Sequence, residues 1–314
     1  MNLYKLSDIS DLSFNDTAVT VGMFDGVHIG HRHILSLLAE VAAREGLMPV
    51  AVTFDRHPRQ VLATDVPTHF RVTTNDERSE FLSDWGIDAV VEVEFTPALA
   101  HMSACEFFRQ VLVERLGAKA LVMGFDNMFG SRSRNDFDQL PVVAKELGVS
   151  LHVDTAVCYG GKEVSSTRIR KALQLGQTDR AAAMLGRGYR MWGTVERGRQ
   201  LGRTLGFPTA NVSLADTSKV WPADGVYAVR VTLEDGTSGL TGMANFGAQP
   251  TFGLDMPVFE VNIFDFDGDL YDTTLTVEFG PRLRDICRFD SVEMLVEQLN
   301  ADRDSARRLL QENN

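Results

Sequence analysis

The stretch AVTVGMFDGVHIGHRHILSLLAEVAARE (residues 18–45) decides the fold of the first part of this chain of 314 residues. Residues 18–23 form a short apolar run that ends in glycine and turn residues, which predicts a buried strand. From residue 30 to about residue 45, Ile34, Leu35, Leu38, Val41 and Ala42 recur at the spacing of one helix face. A strand that passes directly into a helix is the basic unit of a parallel sheet.

The same alternation continues along the first part of the chain. Further strand-like segments are predicted at 48–54, 89–93, 120–123 and 149–153, with helical patterns at 75–85, 103–116 and 138–147. This order predicts an α/β fold in which helices cover both faces of a parallel sheet. Ligands of such sheets bind beyond the carboxyl ends of the strands.

After about residue 185 the predicted strands follow one another without intervening helices. They cover 191–196, 209–213, 226–233, 239–245, 258–264 and 270–279, and a final helix is predicted from 291 to about 310. This order predicts a small antiparallel β-barrel with a terminal helix, because closing a barrel removes exposed sheet edges. The glycines at 186 and 188 indicate a boundary there, so we expect domains at 1–186 and 187–314.

Composition restricts the partners of the chain. The 31 Lys and Arg residues against 43 Asp and Glu residues give a net charge of −12, which argues against a nucleic-acid partner. No apolar run is long enough to predict a membrane partner, and the N-terminus lacks the pattern of a signal peptide. The three cysteines are odd in number, lie far apart and have no metal-ligand spacing, which argues against a disulfide framework, so we expect a cytoplasmic protein. The sequence leaves weak self-association open.

Two histidines, His28 and His31, stand where the first strand passes into the first helix. The glycines at 22, 26 and 30 let the backbone approach a bulky ligand, and the helix N-terminus favours phosphate. Imidazole donors can stabilise charge that develops on leaving pyrophosphate. The alternative interpretation is a pair of surface or helix-capping histidines.

A second phosphate-binding pattern lies in VSSTRIR (residues 164–170). Hydroxyl groups at the start of a helix, followed by Arg168 and Arg170, suit an anion. Alone, this segment is better interpreted as an ordinary helix cap with solvated arginines. Together with the histidine pair it predicts a nucleotidyltransferase, and the absence of a GxxxxGK[ST] motif argues against P-loop chemistry.

The second part has its own candidate phosphate site. Five arginines lie within residues 187–203, and glycines at 198, 202 and 206 predict a loop whose amides can surround phosphates. Thr209 and Asn211 alternate along a predicted strand and offer neutral oxygen ligands for Mg²⁺. Glu260, in an apolar strand segment, is a candidate general base. The alternatives are a basic loop with an edge strand, and an outward-facing strand carboxylate.

Over essentially its whole length the chain resembles the prokaryotic bifunctional riboflavin kinase/FMN adenylyltransferase (FAD synthetase) family. In the first part the resemblance is carried by GMFDGVHIGH (22–31), TFDRHP (53–58), FTPALAHMSACEFF (95–108), GFDNMFG (124–130) and SSTRIR (165–170). In the second part it is carried by GTVERGRQLGRTLGFPTANV (193–212), DGVYAV (224–229), GMANFGAQPTFG (242–253) and FEVNIFDFDGDLYD (259–272).

The resemblance implies a Rossmann-like FMN adenylyltransferase domain at 1–186. It implies catalytic roles there for His28, His31 and Arg170, and contacts of His57 and Pro58 with the flavin. The residues implied to bind ATP in this domain are Gly22, Phe24, Asp25, His28, His31, Asp126, Ser166, Thr167 and Arg170.

The resemblance also implies a riboflavin kinase domain at 187–314. There Glu260 would activate the riboflavin 5′-hydroxyl for attack on the γ-phosphate of ATP, and Thr209 and Asn211 would hold Mg²⁺. The residues implied to bind ATP or its phosphates are Arg199, Gly206, Pro208, Thr209 and Asn211.

We therefore expect a bifunctional enzyme of flavin cofactor biosynthesis that uses riboflavin, FMN, FAD, ATP and Mg²⁺. Two alternative functions belong to other classes. A class I aminoacyl-tRNA ligase is suggested because residues 28–31 spell His-Ile-Gly-His, but a KMSKS-type loop is absent. A non-catalytic flavin-binding regulatory protein is disfavoured by the joint presence of His28, His31, Thr209, Asn211 and Glu260.

Overall fold

A computed structural model describes residues 1–11, 14–58, 61, 67–124, 129, 138–198, 200–247 and 258–312. The chain forms two compact units. Unit 1 comprises Met1–Pro67 and Val72–Ser166, and unit 2 comprises Thr68–Arg71 and Thr167–Asn314. The functional boundary expected at residue 186 stays a prediction.

Unit 1 contains a six-stranded sheet in which all neighbouring strands are parallel. Its strands are β1 (Asn2–Lys5), β2 (Thr17–Val21), β3 (Met48–Phe54), β4 (Ala89–Val93), β5 (Ala118–Gly124) and β6 (Ser150–Asp154). They lie in the order β1-β4-β3-β2-β5-β6, which confirms the predicted parallel sheet. A short antiparallel pair, β7 (Cys158–Tyr159) and β8 (Lys162–Glu163), follows.

Helices connect these strands. They are α1 (Ile29–Glu45), α2 (Asn75–Ser83), α3 (Pro97–His101), α4 (Ala104–Phe107), a π-helix (Phe108–Val113) and α5 (Leu140–Glu146), with a 3₁₀ helix at Leu6–Asp11. The helix predicted over 103–116 is therefore divided into an α segment and a π segment. The helix α6 (Ser166–Gln174) begins at the last residue of unit 1.

Both faces of the four central strands β2 to β5 are buried, and consecutive residues of these strands contribute to opposite faces. Val19 and Val21 pack in one apolar cluster, whereas Ala18 packs in the other. In β3, likewise, Val50 and Ala51 belong to different clusters. This double burial explains why the strand sequences are continuous apolar runs rather than alternating ones.

Unit 2 contains a closed six-stranded barrel whose neighbouring strands are antiparallel. Its strands are β9 (Tyr189–Glu196), β10 (Ala210–Leu214), β11 (Gly225–Leu233), β12 (Leu240–Gly247), β13 (Val258–Ile263) and β14 (Thr274–Arg284). The order β10-β13-β12-β11-β14-β9 confirms the predicted barrel. The strand β14 begins later than the expected residue 270 because a turn, in which Asp272 has φ 61°, precedes it.

The helices of unit 2 after α6 are α7 (Thr178–Leu185), α8 (Leu201–Thr204) and α9 (Val292–Glu312). The terminal helix α9 covers the barrel through Ala306 and Leu310, which pack in one cluster with Ala228 and Met243. Across the part of the chain that the structure describes, no helix is both long and apolar enough to cross a membrane.

An early segment of the sequence, residues 68–71, belongs to unit 2. The amides of Phe70 and Arg71 donate to the Ser218 carbonyl at 2.8 and 2.9 Å, and the Val220 amide donates to the Arg71 carbonyl at 2.7 Å. Unit 2 is therefore built from two separate stretches of sequence.

A buried ion pair ties α9 to the barrel. Arg284 in β14 contacts Asp302 with its Nε and Nη2 atoms, at 2.9 and 2.8 Å from Oδ2. Asp302 is only 4% exposed. Removing Asp302 would leave the guanidinium of Arg284, whose side chain is only 19% exposed, without its carboxylate partner.

We expect Asp302→Ala to lower the free energy of unfolding of unit 2 by about 3 kcal/mol, measured by urea denaturation. Asp304→Ala is the matched control, because Asp304 is exposed and lies 3.7 Å from Arg303 Nε. The control is expected to have a much smaller effect, since exposed ion pairs contribute little. Equal destabilisation by the two variants would contradict the proposed strength of the buried pair.

Candidate functional site

The loop between β2 and α1 ends at His28, which is the N-cap of α1. His28 has φ −74° and ψ 172°, and its Nδ1 accepts a hydrogen bond from the His31 amide at 3.3 Å. Because Nδ1 is the acceptor, the neutral imidazole carries its proton on Nε2. His28 therefore caps the helix, as the alternative interpretation allowed, and presents an N–H donor on its other nitrogen.

The two histidine rings of this loop form a stacked pair. The centroids of His28 and His31 lie 3.6 Å apart at an interplanar angle of 16°, and Phe24 meets the His31 ring edge-on at 5.3 Å. The structure thus brings together three residues that the sequence predicted for one site. The amides and the dipole at the N-terminus of a 17-residue helix favour an anion beside these rings.

The start of the loop is closely packed. The Gly22 amide donates to the Val52 carbonyl at 3.0 Å, and a Cβ on Gly22 would lie 3.1 Å from the Phe24 ring. Asp25 is 5% exposed, and its Oδ1 accepts hydrogen bonds from the amides of Val72 and Thr73 at 2.9 and 3.1 Å. This carboxylate therefore supports the fold of the loop.

Arg32, one residue beyond the histidine pair, also supports the loop. Its Nε donates to the Val27 carbonyl at 3.2 Å, and its guanidinium lies 5.6 Å from the centroid of the Trp85 ring. Burial lowers the pKa of Arg32, and the nearby carboxylate of Asp84 opposes that shift. The first turn of α1 is thus linked to the loop by a side chain as well as by its cap.

The segment 164–170 is divided by the unit boundary. Ser166 belongs to unit 1, and its Oγ donates to the Asp25 carbonyl at 2.8 Å. Thr167 and Arg170 belong to unit 2, where Arg170 Nη2 donates to Thr167 Oγ1 at 3.2 Å. Arg170 is buried, with its guanidinium 4.1 Å from the centroid of the Phe70 ring.

The two predicted flavin contacts follow β3. His57 and Pro58 are half-buried and lie just after the carboxyl end of this strand, which is the neighbour of β2 in the sheet. Parallel strands bring their carboxyl ends to one edge of the sheet. His57 and Pro58 therefore lie at the same edge as the loop of residues 22–28 between β2 and α1, which we call the histidine loop. Asp126, predicted just after β5, lies outside the described residues, as does Arg199 in the second part.

In the barrel, Asn211 on β10 lies directly opposite Glu260 on β13, and Glu260 lies opposite Asn245 on β12. Side chains of directly opposed residues share one face of a sheet. The structure therefore brings together Asn211 and Glu260, which the sequence singled out 49 positions apart. It also adds the half-buried Asn245, which sequence reasoning missed.

Two glycines let the loop after β9 lie against the predicted metal ligands. A Cβ on Gly198 would lie 2.1 Å from Asn211 Nδ2. A Cβ on Gly202 would lie 2.2 Å from the Phe207 carbonyl oxygen and 3.4 Å from Thr209 Oγ1. Any larger residue at these positions would displace the groups that the loop covers.

A cavity of about 470 Å³ opens beside this loop, and Pro208 and Thr209 line it. That volume suits a small-molecule ligand. Asn211 and Glu260 are absent from its lining, while Gln200, Arg203 and Tyr271 contribute to it. The segment 266–270, which follows β13, also lines the cavity together with Tyr271.

A hydrogen bond joins Gln200 and Tyr271, which both line the cavity. Gln200 Nε2 donates to the Tyr271 hydroxyl at 2.8 Å, and the Arg197 guanidinium lies 4.7 Å from the centroid of the Tyr271 ring. Gln200 has φ 55°, an uncommon conformation for a residue other than glycine. Both residues lie within segments that carry the family resemblance, so a comparison of these segments with the family could have identified them from the sequence.

The oxygen atoms of Thr209 and Asn211 are neutral ligands of the hard type that Mg²⁺ prefers. A cation held by so few protein groups keeps waters and nucleotide phosphates in its remaining positions, so this donor set fits a MgATP complex. Among the described residues, no group of three or more His, Cys, Asp and Glu side chains could hold a metal ion by itself.

Comparison with known protein families gives a match for each part of the chain. Residues 11–168 match the family model described as FAD synthetase, and residues 185–310 match the model described as riboflavin kinase. The two matches are consecutive and together cover most of the sequence.

Curated relatives match over nearly their whole length. The chain is 39% identical over 292 residues to the bifunctional riboflavin kinase/FMN adenylyltransferase of Pseudomonas fluorescens, covering 92% of each protein. It is 35% identical over 302 residues to the enzyme of the same name from Escherichia coli K12, covering 96% of this chain and 95% of that protein.

A solved structure also matches. A crystal structure described as a macrolide-efflux protein from Streptococcus pneumoniae is 33% identical, with a TM-score of 0.89. The match covers 98% of this chain and 99% of that one.

Proposed function

The chain belongs to the bifunctional riboflavin kinase/FMN adenylyltransferase family, and we propose that residues 1–186 form its adenylyltransferase module and residues 187–314 its kinase module. The enzyme phosphorylates riboflavin with ATP, giving FMN and ADP. It then transfers AMP from a second ATP to FMN, giving FAD and pyrophosphate. The observation that carries this function is the match of both parts, in the same order, to enzymes that combine the two activities.

In adenylyl transfer, a phosphate oxygen of FMN attacks the α-phosphorus of ATP. The bond between this phosphorus and the bridging oxygen breaks, and its electron pair leaves with pyrophosphate. We assign His28 and His31 to the ATP phosphates, where Nε2–H of His28 is a donor for the charge that develops on pyrophosphate. Donors fixed by a helix cap and a ring stack need no reorganisation as that charge grows.

The other expected contacts of this module remain proposals. Arg170 supplies a permanent positive charge for the phosphates, together with the hydroxyls of Ser166 and Thr167. Gly22, Phe24 and Asp25 shape the loop that approaches ATP, and Asp126 contacts the ribose or adenine. His57 and Pro58, beyond the carboxyl end of β3, contact the flavin.

In the kinase reaction, Glu260 accepts the proton of the riboflavin 5′-hydroxyl, whose oxygen attacks the γ-phosphorus of ATP while ADP leaves. Thr209 and Asn211 would hold Mg²⁺, which would neutralise phosphate charge. Arg199, Gly206 and Pro208 contact ATP or its phosphates. The direct opposition of Asn211 and Glu260 across β10 and β13 supports a shared site for the metal complex and the base.

The substrates are small molecules, and nothing in the family assignment calls for nucleic acid or a membrane. We further infer a cytoplasmic location, because Cys105, Cys158 and Cys287 are all free thiols. Weak self-association stays a prediction. Family membership favours the enzyme over both alternatives, the aminoacyl-tRNA ligase and the non-catalytic flavin-binding protein.

We expect His31→Ala to reduce FAD formation from supplied FMN and ATP at least 100-fold, roughly the effect of removing one oxyanion donor. Riboflavin phosphorylation by the same protein should be unchanged. Both products are measured by chromatography after incubation with MgATP.

His33→Ala is the matched control for this variant. His33 lies on the same helix, but its Nε2 contacts Asp154 Oδ2 at 2.8 Å, so we assign it no role toward ATP. Full FAD synthesis by His31→Ala would refute the assigned site. Loss of both activities would refute the independence of the modules.

We expect Glu260→Gln to slow riboflavin phosphorylation by roughly 100-fold or more, because the amide cannot accept the proton. FAD synthesis from supplied FMN should continue at the rate of the unaltered enzyme. The control is Glu278→Gln, a half-buried carboxylate on β14 that lies opposite Arg230 and Arg190 on the neighbouring strands. If FMN forms at an undiminished rate in Glu260→Gln, this residue is not the base.

A further inference from the structure

The histidine loop contains strained backbone. Phe24 has φ 48° and Val27 has φ 37°, although neither residue is glycine. Positive φ is especially unfavourable for a β-branched residue such as Val27. Conformations of this kind persist only when the surrounding structure holds them, and they concentrate at functional sites.

The residues that hold this loop come from a segment that sequence reasoning did not select. The Gly26 amide donates to Thr73 Oγ1 at 3.0 Å, and the Thr73 hydroxyl lies 3.5 Å from Asp25 Oδ1. The same Oδ1 atom accepts from the amides of Val72 and Thr73. Thr73 is 3% exposed, so water cannot easily replace these hydrogen bonds.

Three further side chains bind alternate carbonyl groups of the loop. Arg78 Nη1 donates to the Met23 carbonyl at 3.3 Å, and Arg32 Nε donates to the Val27 carbonyl at 3.2 Å. Between them, Ser166 Oγ donates to the Asp25 carbonyl at 2.8 Å. The carbonyls at 23, 25 and 27 thus each accept a hydrogen bond from a side chain, and the Thr73 hydroxyl adds a hydrogen bond to the Gly26 amide between them.

Thr73 can influence the positions of the two histidines through the backbone of residues 26–28. Gly26, whose amide it binds, is separated from His28 by one residue, Val27, which has an unfavourable φ. The position of His28 in turn determines the cap of α1 and the stack with His31. A displaced Gly26 would therefore move both rings.

We propose that Thr73 is a positioning residue for adenylyl transfer, whose hydroxyl holds Gly26 and Asp25 so that His28 and His31 meet the ATP phosphates in the reactive geometry. This inference rests on the proposed roles of the two histidines. Since a positioning residue aligns reacting groups rather than binding the substrate, its removal lowers kcat and leaves KM for ATP nearly unchanged.

Thr73→Val tests the proposal because valine keeps the shape of threonine and removes the hydroxyl. In the full-length protein, we expect kcat for FAD formation from FMN and ATP to fall by roughly 100-fold, the scale of effect of a small misalignment. Thr73→Ser, which keeps the hydroxyl, should retain most of the activity. Riboflavin phosphorylation, measured in the same samples, should be unchanged in both variants.

The matched control is Thr17→Val. Thr17 is also buried, and its hydroxyl donates to the Leu116 carbonyl at 2.7 Å at the opposite end of β2 from the loop. It should retain kcat even where its unfolding temperature falls as much as that of Thr73→Val. If Thr73→Val does not fold, Thr73→Ala replaces it. The replacement variant must retain riboflavin phosphorylation and the circular dichroism spectrum of the unaltered protein.

Three outcomes would overturn the proposal: equal loss of kcat in Thr17→Val, equal loss in Thr73→Ser, or a rise in KM with no change in kcat. The result for His31→Ala separates this inference from the function on which it rests. If His31→Ala abolishes FAD synthesis and Thr73→Val does not impair it, only the positioning role is wrong. If His31→Ala remains active, the histidine site itself is wrong.

Discussion

The hydrogen bond from the His31 amide to His28 Nδ1 serves two purposes at once. It begins α1 by satisfying one of the amides that have no partner within the helix. It also places the proton of a neutral His28 ring on Nε2, and this ring stacks on that of His31. Serine, threonine or aspartate would cap this helix as well, but none of them would present an N–H donor beside the helix N-terminus. The same cap therefore supports the role toward the ATP phosphates that we propose for His28.

In the barrel, the candidate catalytic groups Asn211 and Glu260 lie on strands and not at the end of a helix. Antiparallel pairing determines which residues meet, and a shift of one residue would turn every side chain to the other face of the sheet. The register that joins Asn211 to Glu260 also joins Glu260 to Asn245, so three strands meet in one row of polar groups. Closure of the sheet holds that register, since a closed barrel has no free edge at which strands could slip.

Much of this architecture follows from local sequence, and what was missed depends on distant contacts. The strand and helix at 18–45 and the barrel strands have clear local sequence patterns, and the structure confirms them. The strand β1 (Asn2–Lys5) was not predicted because it is polar, mostly exposed and held by its pairing with β4. Thr73 looks like an ordinary threonine until the fold brings it to Gly26, 47 residues away. Tyr271 likewise stands out only once the fold brings its hydroxyl within hydrogen-bond distance of Gln200.

The assignment of residues 68–71 to unit 2 has a consequence for gene dissection. Neither unit is a single uninterrupted stretch of sequence, so no one cut in the coding region can express unit 2 with all of its residues. A fragment that starts at 187 would lack the strand-like partner of residues 218–220 as well as the helix α7. Expression of unit 2 with all of its residues therefore requires both stretches, 68–71 and 167–314, in the same chain.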